Sequence, residues 1–344
     1  MKILIPTFYN NYGGSIYILL KCKEILKREF FTILKAPLKE SDISNSSLVS
    51  SINNWKDKVK ILPKVIFLIL KEIIFLKKKG FDIIYVHDEI SLIIYGIISK
   101  VIKNKIIWHI HLYEGKGLKK VIRNLLCDYK IYVSKAQIES ASKKPFYILN
   151  NFIEKPINLV DSQKRSAKLK KIFMIGTISK RKNQLFGIKL ISKLNDNYQL
   201  IICGDILDKN YYYTLKKEIK SLKIKNKVKF ISHLDREYIY NMADIVLIAS
   251  QYESFGLVFI ESLAFGIPVI APDLKCFQEI CQKIGYNMIY RQNEINDAIQ
   301  KLKNAKDMDI KIFQKKVFEI YSYKNFKNNL LNIFNRISVE WQKK

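Results

Sequence analysis

No run of about 18 uncharged apolar residues, the length a helix needs to cross a bilayer's hydrocarbon, occurs in this chain. A membrane-spanning helix is therefore not expected. Cysteine is sparse: Cys22, Cys127, Cys203, Cys276 and Cys281 are scattered, odd in number and form no C-x2-C pair. That argues against disulfides and against a zinc site, and it fits a reducing cytoplasm. Acidic residues are also few. Against 60 Lys+Arg stand 31 Asp+Glu, a formal net charge of +29. The basic residues recur through both halves, so the excess is not a tail. Such a balance favours a polyanionic surface, either nucleic acid or anionic lipid. A chain-wide bias toward Lys, Ile and Asn accounts for it equally well. No nucleic-acid motif or aromatic-basic repeat accompanies the charge, so no specific nucleic-acid partner is expected. The N-terminus, Met1-Lys-Ile-Leu-Ile-Pro-Thr, reads as a first strand rather than a signal peptide.

What is present is core for two domains, with 49% hydrophobic residues in 344. The first half predicts strands at 2–5, 31–35, 82–87, 105–111, 129–133 and 146–149. Helices are expected near 14–28, 61–79, 90–102 and 117–126. Residues 154–170 are polar and lysine-rich and contain Pro156, the mark of a linker. The alternation then resumes, with strands at 171–176, 199–203, 228–232, 244–248, 268–270 and 287–290. Short apolar strands alternating with helices indicate parallel sheets covered on both faces. The tail from Tyr323 has helical periodicity through Phe326, Leu330, Ile333, Phe334 and Ile337. Residues 61–79 are apolar on most faces, with a basic cluster at 77–79. They suit either a buried helix of the first domain or a membrane-surface element burying Phe67 and Ile74 among headgroups.

The segment Glu253-Ser-Phe-Gly-Leu-Val-Phe-Ile-Glu261 carries the most chemistry. A β-branched strand at 243–250 precedes it, and helical spacing runs from Gly256 until Gly266 and Pro268 end it. Glu253 then sits in a strand-to-helix turn. The amides of Gly256, Leu257 and Val258 open a helix, and Glu261 lies about one turn inside. A helix N-terminus suits phosphate, and a carboxylate beside it suits sugar hydroxyls. Together they point to a nucleotide-sugar. Lys182, after Lys180 and Arg181, offers a cation for a diphosphate.

This segment resembles the E-x7-E signature of retaining glycosyltransferases of family 4. Gly176-Thr-Ile-Ser-Lys-Arg-Lys182, Ile201-Ile-Cys-Gly204-Asp205 and Val228-Lys-Phe-Ile-Ser-His233-Leu234 resemble that family's other strand ends, in order. The resemblance implies an α/β GT-B fold: two Rossmann-like doubly wound domains facing across a cleft. It places an acceptor-binding domain at 1–153, a linker at 154–170, a nucleotide-sugar-binding domain at 171–321 and a returning helix at 322–344. It implies that Glu261 bonds the donor ribose, Glu253 supports the transferred sugar, and Lys182 clamps the diphosphate. His233 and Leu234 are implied to read the base through their backbone. His111, ending the strand 105–111, matches a histidine near the reacting sugar. Gly14, in Asn11-Tyr-Gly-Gly-Ser15, matches a glycine loop approaching the donor. The family's usual arginine after the strand-end glycine is replaced by Thr177; Arg181 is the candidate substitute.

His87 could line the acceptor side, and Asn150-Asn151 resembles a turn before the linker. Asp307-Met-Asp309 matches the metal-binding D-x-D string, but it lies far from the other motifs and reads as chance. No cofactor or metal is expected. The expected reaction moves a sugar from a nucleotide-sugar, UDP by frequency in the family, to a membrane-associated or lipid-linked glycan. An anionic membrane surface is the expected partner, from the cytoplasmic side. The rivals are a GT-B UDP-sugar epimerase and a basic nucleic-acid-binding protein.

Overall fold

Strands of near-continuous aliphatic sequence, such as Ile83-Ile-Tyr-Val86 with all four residues buried, can be satisfied only between two covering layers. The chain builds two such sheets, each six-stranded and parallel at every pairing described. The computed structural model describes residues 1–7, 14–35, 67, 69–112, 117–138, 144–156, 170–232, 235–305 and 308–342. His233, Leu234 and Asp307, with 61–66 and 68 of the apolar stretch, lie outside the described residues.

The first sheet contains β1 (Lys2–Pro6), β2 (Phe31–Lys35), β3 (Ile83–Val86), β4 (Lys105–Ile110), β5 (Tyr129–Tyr132) and β6 (Phe146–Ile148). Its order is β2-β1-β3-β4-β5-β6. The second contains β7 (Lys170–Ile175), β8 (Tyr198–Cys203), β9 (Val228–Ile231), β10 (Ile245–Leu247), β11 (Val269–Pro272) and β12 (Ile289–Tyr290), ordered β12-β11-β10-β7-β8-β9. In each, strand order reverses beside the sheet's first strand, between β1 and β3 and between β7 and β10. Such switch points open a crevice at the strands' carboxyl ends.

The chain divides into Met1–Asn150 with Phe326–Lys344, and Asn151–Asn325. The C-terminal segment is one helix, Tyr323–Gln342. Within the first unit its Phe334 packs against Tyr85, ring centroids 5.0 Å apart, and against Phe30 at 6.3 Å.

The apolar stretch is helical over 69–79 and divides its faces as an amphipathic helix should. Glu72 and Leu76 are buried, whereas Phe67, Leu70 and Ile74 are exposed. Glu72 has its reason: Lys35 Nζ reaches its two carboxylate oxygens at 2.6 and 2.8 Å, and the Tyr95 hydroxyl donates to it at 3.0 Å. The same unit exposes Leu118, Val121, Ile122 and Leu125 on the helix Gly117–Leu126. Among the described residues no helix is long and apolar enough to cross a membrane.

Candidate functional site

In the C-terminal unit the carboxyl ends of β7 and β10 carry the charged groups. After β7 the chain turns at Gly176 and forms a short 3-10 turn, Lys180–Lys182, before the helix Gln184–Ser192. After β10 it runs through Ser250 and Glu253 to the helix Leu257–Ala264. The Gln251 amide donates to the Arg181 carbonyl at 2.8 Å, joining the two loops. Three donors converge on one oxygen of Glu253. Lys182 Nζ lies 2.5 Å from Oε1, Ser250 Oγ 3.0 Å and Arg181 Nη1 3.1 Å. No hydrogen bond to Oε2 is formed among the described residues. Burial pushes the Glu253 pKa up, but Lys182, Arg181 and Ser250 outweigh it, so the net shift is downward. Glu253 is thus an anion held by two cations.

Backbone spacing makes this approach possible. A Cβ on Gly204 would stand 2.2 Å from the Gly176 carbonyl oxygen, so the ends of β7 and β8 meet where no side chain fits. Lys182 lies across Gly176, its Cε 3.1 Å from where a Cβ would be. Gly256 takes φ 102° immediately before the helix, and a Cβ there would strike the Phe277 ring at 2.5 Å. No side chain caps this helix start. The amides of Leu257 and Val258, in its first turn, have no acceptor within the helix.

Glu261, one turn in, is held differently. The Tyr240 hydroxyl donates to Oε2 at 2.7 Å and Arg236 Nη1 lies 3.2 Å from Oε1. Burial raises its pKa, and the opposing pull of Arg236 and Tyr240 does not cancel the rise. Arg236 and Tyr240 went unrecognised in the sequence. A pattern signal existed: both lie on the helix Arg236–Met242, four positions apart and hence on one face. Thr177, which stands where the resembled family usually has an arginine, is exposed, and its carbonyl accepts from Gln184 Nε2 at 3.0 Å. Arg181, in contact with Glu253 and 5.7 Å from the Tyr252 ring, is the second cation in the group.

In the N-terminal unit, His87, Asp88, His111, Thr7, Ser15 and Arg123 contribute to a cavity of about 350 Å³ beyond the ends of β1, β3 and β4. Gly14 begins the helix Gly14–Leu26 beside it. His111 is not alone: its Nε2 lies 2.8 Å from His87 Nδ1, the rings stacked at 5.0 Å. His109, the alternate strand position, is buried, with Nδ1 2.7 Å from the Tyr85 hydroxyl. Burial lowers the His111 pKa to about 4 and holds His87 and His109 well below the usual imidazole range. At neutral pH the cluster is therefore uncharged. Asp88 is committed to the fold: it caps the next helix, accepting from the Ser91 amide at 2.7 Å and the Ser91 hydroxyl at 2.6 Å. Asn150, beside the division between units, donates to the Val133 carbonyl at 2.8 Å.

Known proteins resemble this chain in sequence and in fold. Residues 158–316 match the family model of glycosyl transferases group 1. The chain is 29% identical over 221 residues to an alpha-monoglucosyldiacylglycerol synthase of Streptococcus pneumoniae, covering 60% of this chain and 48% of that protein. It is 30% identical over 230 residues to the O-antigen biosynthesis glycosyltransferase WclY of Escherichia coli, covering 59% of this chain and 64% of that one. The matches therefore span about half to two thirds of the relatives' length. Among solved structures, Anabaena HepE in complex with UDP-glucose superimposes with a TM-score of 0.79 at 17% identity, covering 98% of this chain and all of that one. The lipopolysaccharide outer core galactosyltransferase WaaB gives a TM-score of 0.74 at 16% identity, with 98% of this chain covered and all of that one. The fold is GT-B, and the sequence similarity to glycosyl transferases group 1 lies in residues 158–316.

Proposed function

We propose that this chain is a retaining, family 4 glycosyltransferase that moves a sugar from a UDP-sugar to a lipid-linked or membrane-associated glycan. The observation that carries the reading is the convergence of Lys182, Arg181 and Glu253 at the β7–β10 switch point, next to an uncapped helix start.

In this reading the donor diphosphate lies against the amides of Leu257 and Val258, with Gly256 leaving the backbone accessible. Lys182 turns from Glu253 to the phosphates and stabilises the charge that builds on the leaving group as the glycosidic bond breaks. Preorganised donors of this kind are worth about 3–4 kcal/mol each when the site is dry. Glu253 supports the transferred sugar through Oε2 and keeps the cations in place when no donor is bound. It is not assigned as a general base, since the departing phosphate can take the acceptor's proton on the same face. Glu261 accepts from the ribose hydroxyls; each carboxylate oxygen has capacity beyond its present partner. His233 and Leu234 read the base through their backbone, and neutral His111 steadies the donor sugar. The chain's own cations and helix amides fill the role that a divalent ion has elsewhere, so transfer runs without metal.

The acceptor side is assigned to an anionic membrane. Support comes from the apolar face of Leu118, Val121, Ile122 and Leu125, from exposed Phe67, Leu70 and Ile74, and from the +29 charge. The deciding experiment is calorimetric titration of UDP-, GDP- and ADP-sugars into wild type and Glu261→Ala. UDP-sugar binding by wild type, weakened in the variant, is expected. A folded protein that binds no donor would sink the transferase reading. The anomeric configuration of the product, read by NMR, tests retention.

A further inference from the structure

Three of the chain's four histidines meet in the N-terminal unit, and the helix Gly14–Leu26 brings a buried cysteine to them. His109 lies 4.2 Å from His111 and 4.9 Å from His87 between ring centroids. One ligand atom from each of Cys22, His87 and His109 falls within 4.8 Å of the others. Each Nδ1 is used: that of His87 meets His111 Nε2, and that of His109 meets the Tyr85 hydroxyl. The Tyr85 hydroxyl in turn donates to Cys22 Sγ at 3.7 Å. The other ring nitrogen, Nε2, of both His87 and His109 is buried without a hydrogen-bond partner among the described residues.

No placement of ring protons resolves this. A protonated Nε2 lacks an acceptor, and an unprotonated one lacks a donor. We propose that Cys22, His87 and His109 form a binding site for one d-block cation, zinc(II) by preference. Two imidazole nitrogens and a thiolate make a borderline-soft set that suits zinc.

With the cation bound, every proton in the cluster has a place. Both Nε2 lone pairs go to the metal, so both protons sit on Nδ1. His109 Nδ1–H donates to the Tyr85 oxygen, and the Tyr85 hydroxyl donates to the Cys22 thiolate. His87 Nδ1–H donates to His111 Nε2, which fixes the His111 proton on its own Nδ1. Such outer hydrogen bonds orient metal-bound imidazoles and set their tautomer. Bonds of about 2.0–2.3 Å in a tetrahedral arrangement bring ligand atoms roughly 3.5 Å apart, at most about 1.3 Å less than the 4.8 Å within which they lie here. Binding releases the Cys22 thiol proton to solvent. His87 lines the neighbouring cavity, which gives the ion a way in. The cation takes no part in sugar transfer; it holds the cluster behind His111, so His87 and His109 are positioning residues.

The test uses the full chain, reduced and stripped with a chelator, titrated with Zn2+ against a chromophoric competitor and separately with Co2+. Expected is one equivalent bound, with a thiolate-to-cobalt absorption band in the near ultraviolet. The equivalent should be lost in Cys22→Ser and weakened at least tenfold in His109→Gln, yet kept in Cys276→Ser/Cys281→Ser. A folded wild type that binds no metal, or binds it without the thiolate band, overturns the proposal. So does undiminished binding in Cys22→Ser. Should Cys22→Ser not fold, the wild-type cobalt spectrum alone decides.

Discussion

The two units share a sheet plan but equip their strand ends with opposite chemistry. In the C-terminal unit, β7 and β10 deliver full charges: two cations on Glu253, and a second carboxylate held by Arg236 and Tyr240. In the N-terminal unit, β3 and β4 and their carboxyl ends deliver three imidazoles and an aromatic hydroxyl, and the helix Gly14–Leu26 adds a thiol; burial penalises their charged forms. Charge at low solvent exposure needs a partner, and the C-terminal unit supplies it by pairing. Neutral polar groups need hydrogen bonds, and the N-terminal unit supplies most of them but not all. The first arrangement suits a polyanionic ligand that can replace Glu253 as the cations' partner. The second leaves two buried ring nitrogens open to a ligand that accepts their lone pairs.

The largest effect that would sharpen this contrast is at Lys182. Lys182→Ala should lower kcat by roughly 100- to 1000-fold, with a smaller change in donor KM, because its contact strengthens as the leaving group gains charge. Steady-state kinetics with a UDP-sugar checks this, and a loss under tenfold would remove Lys182 from the chemistry. Next is Gly204→Ala, which forces a methyl to 2.2 Å from the Gly176 carbonyl. It should cost about 2–4 kcal/mol, read as a lowered urea midpoint, while a wild-type midpoint would mean that the strand ends can separate freely.

The two glutamates differ in pH response, and donor binding should follow. Glu261, its pKa raised by burial, takes its proton first as pH falls. UDP-sugar affinity should therefore weaken before Glu253 titrates, and Glu261→Gln should flatten that limb while lowering affinity about tenfold. Calorimetry across pH tests it; an unchanged limb in the variant would assign the titration elsewhere. For stability the signs are opposite. Glu261's charged form is penalised by the fold, so its cost at neutral pH shrinks as pH falls through its raised pKa. Glu253, its pKa lowered, contributes stability at neutral pH that disappears only as pH falls through that lowered value.

The smallest effect on the fold should come from Leu118→Ser/Leu125→Ser, both exposed, within about 0.5 kcal/mol of wild type. The same pair should reduce co-sedimentation with phosphatidylglycerol vesicles several-fold. Unchanged vesicle binding would place the membrane contact elsewhere.

The contrast extends to legibility. The C-terminal site could be read because its residues are close in sequence or sit at recognisable strand ends: Glu253, Gly256 and Glu261 span one turn and one helix. Arg236 escaped because its meaning lies in Glu261, 25 positions away. The N-terminal cluster was legible only in fragments. His109 and His111 alternate on one strand, but their bonds to Tyr85 and His87 each cross 24 positions between neighbouring strands. Scattered cysteines argued against a metal site from spacing alone. The fold brings Cys22 to His87 across 65 positions of chain, a proximity that no spacing rule can anticipate.

Sequence by itself determined the two parallel sheets, the glycine positions and the carboxylate pair, because periodicity, backbone conformation and helix opening are local. Tertiary structure alone decided which charges meet, which carboxylate keeps its proton longest, and which ring nitrogens are left unpartnered. Those depend on desolvation and on distances across strands, and neither is a property of neighbouring residues in the chain.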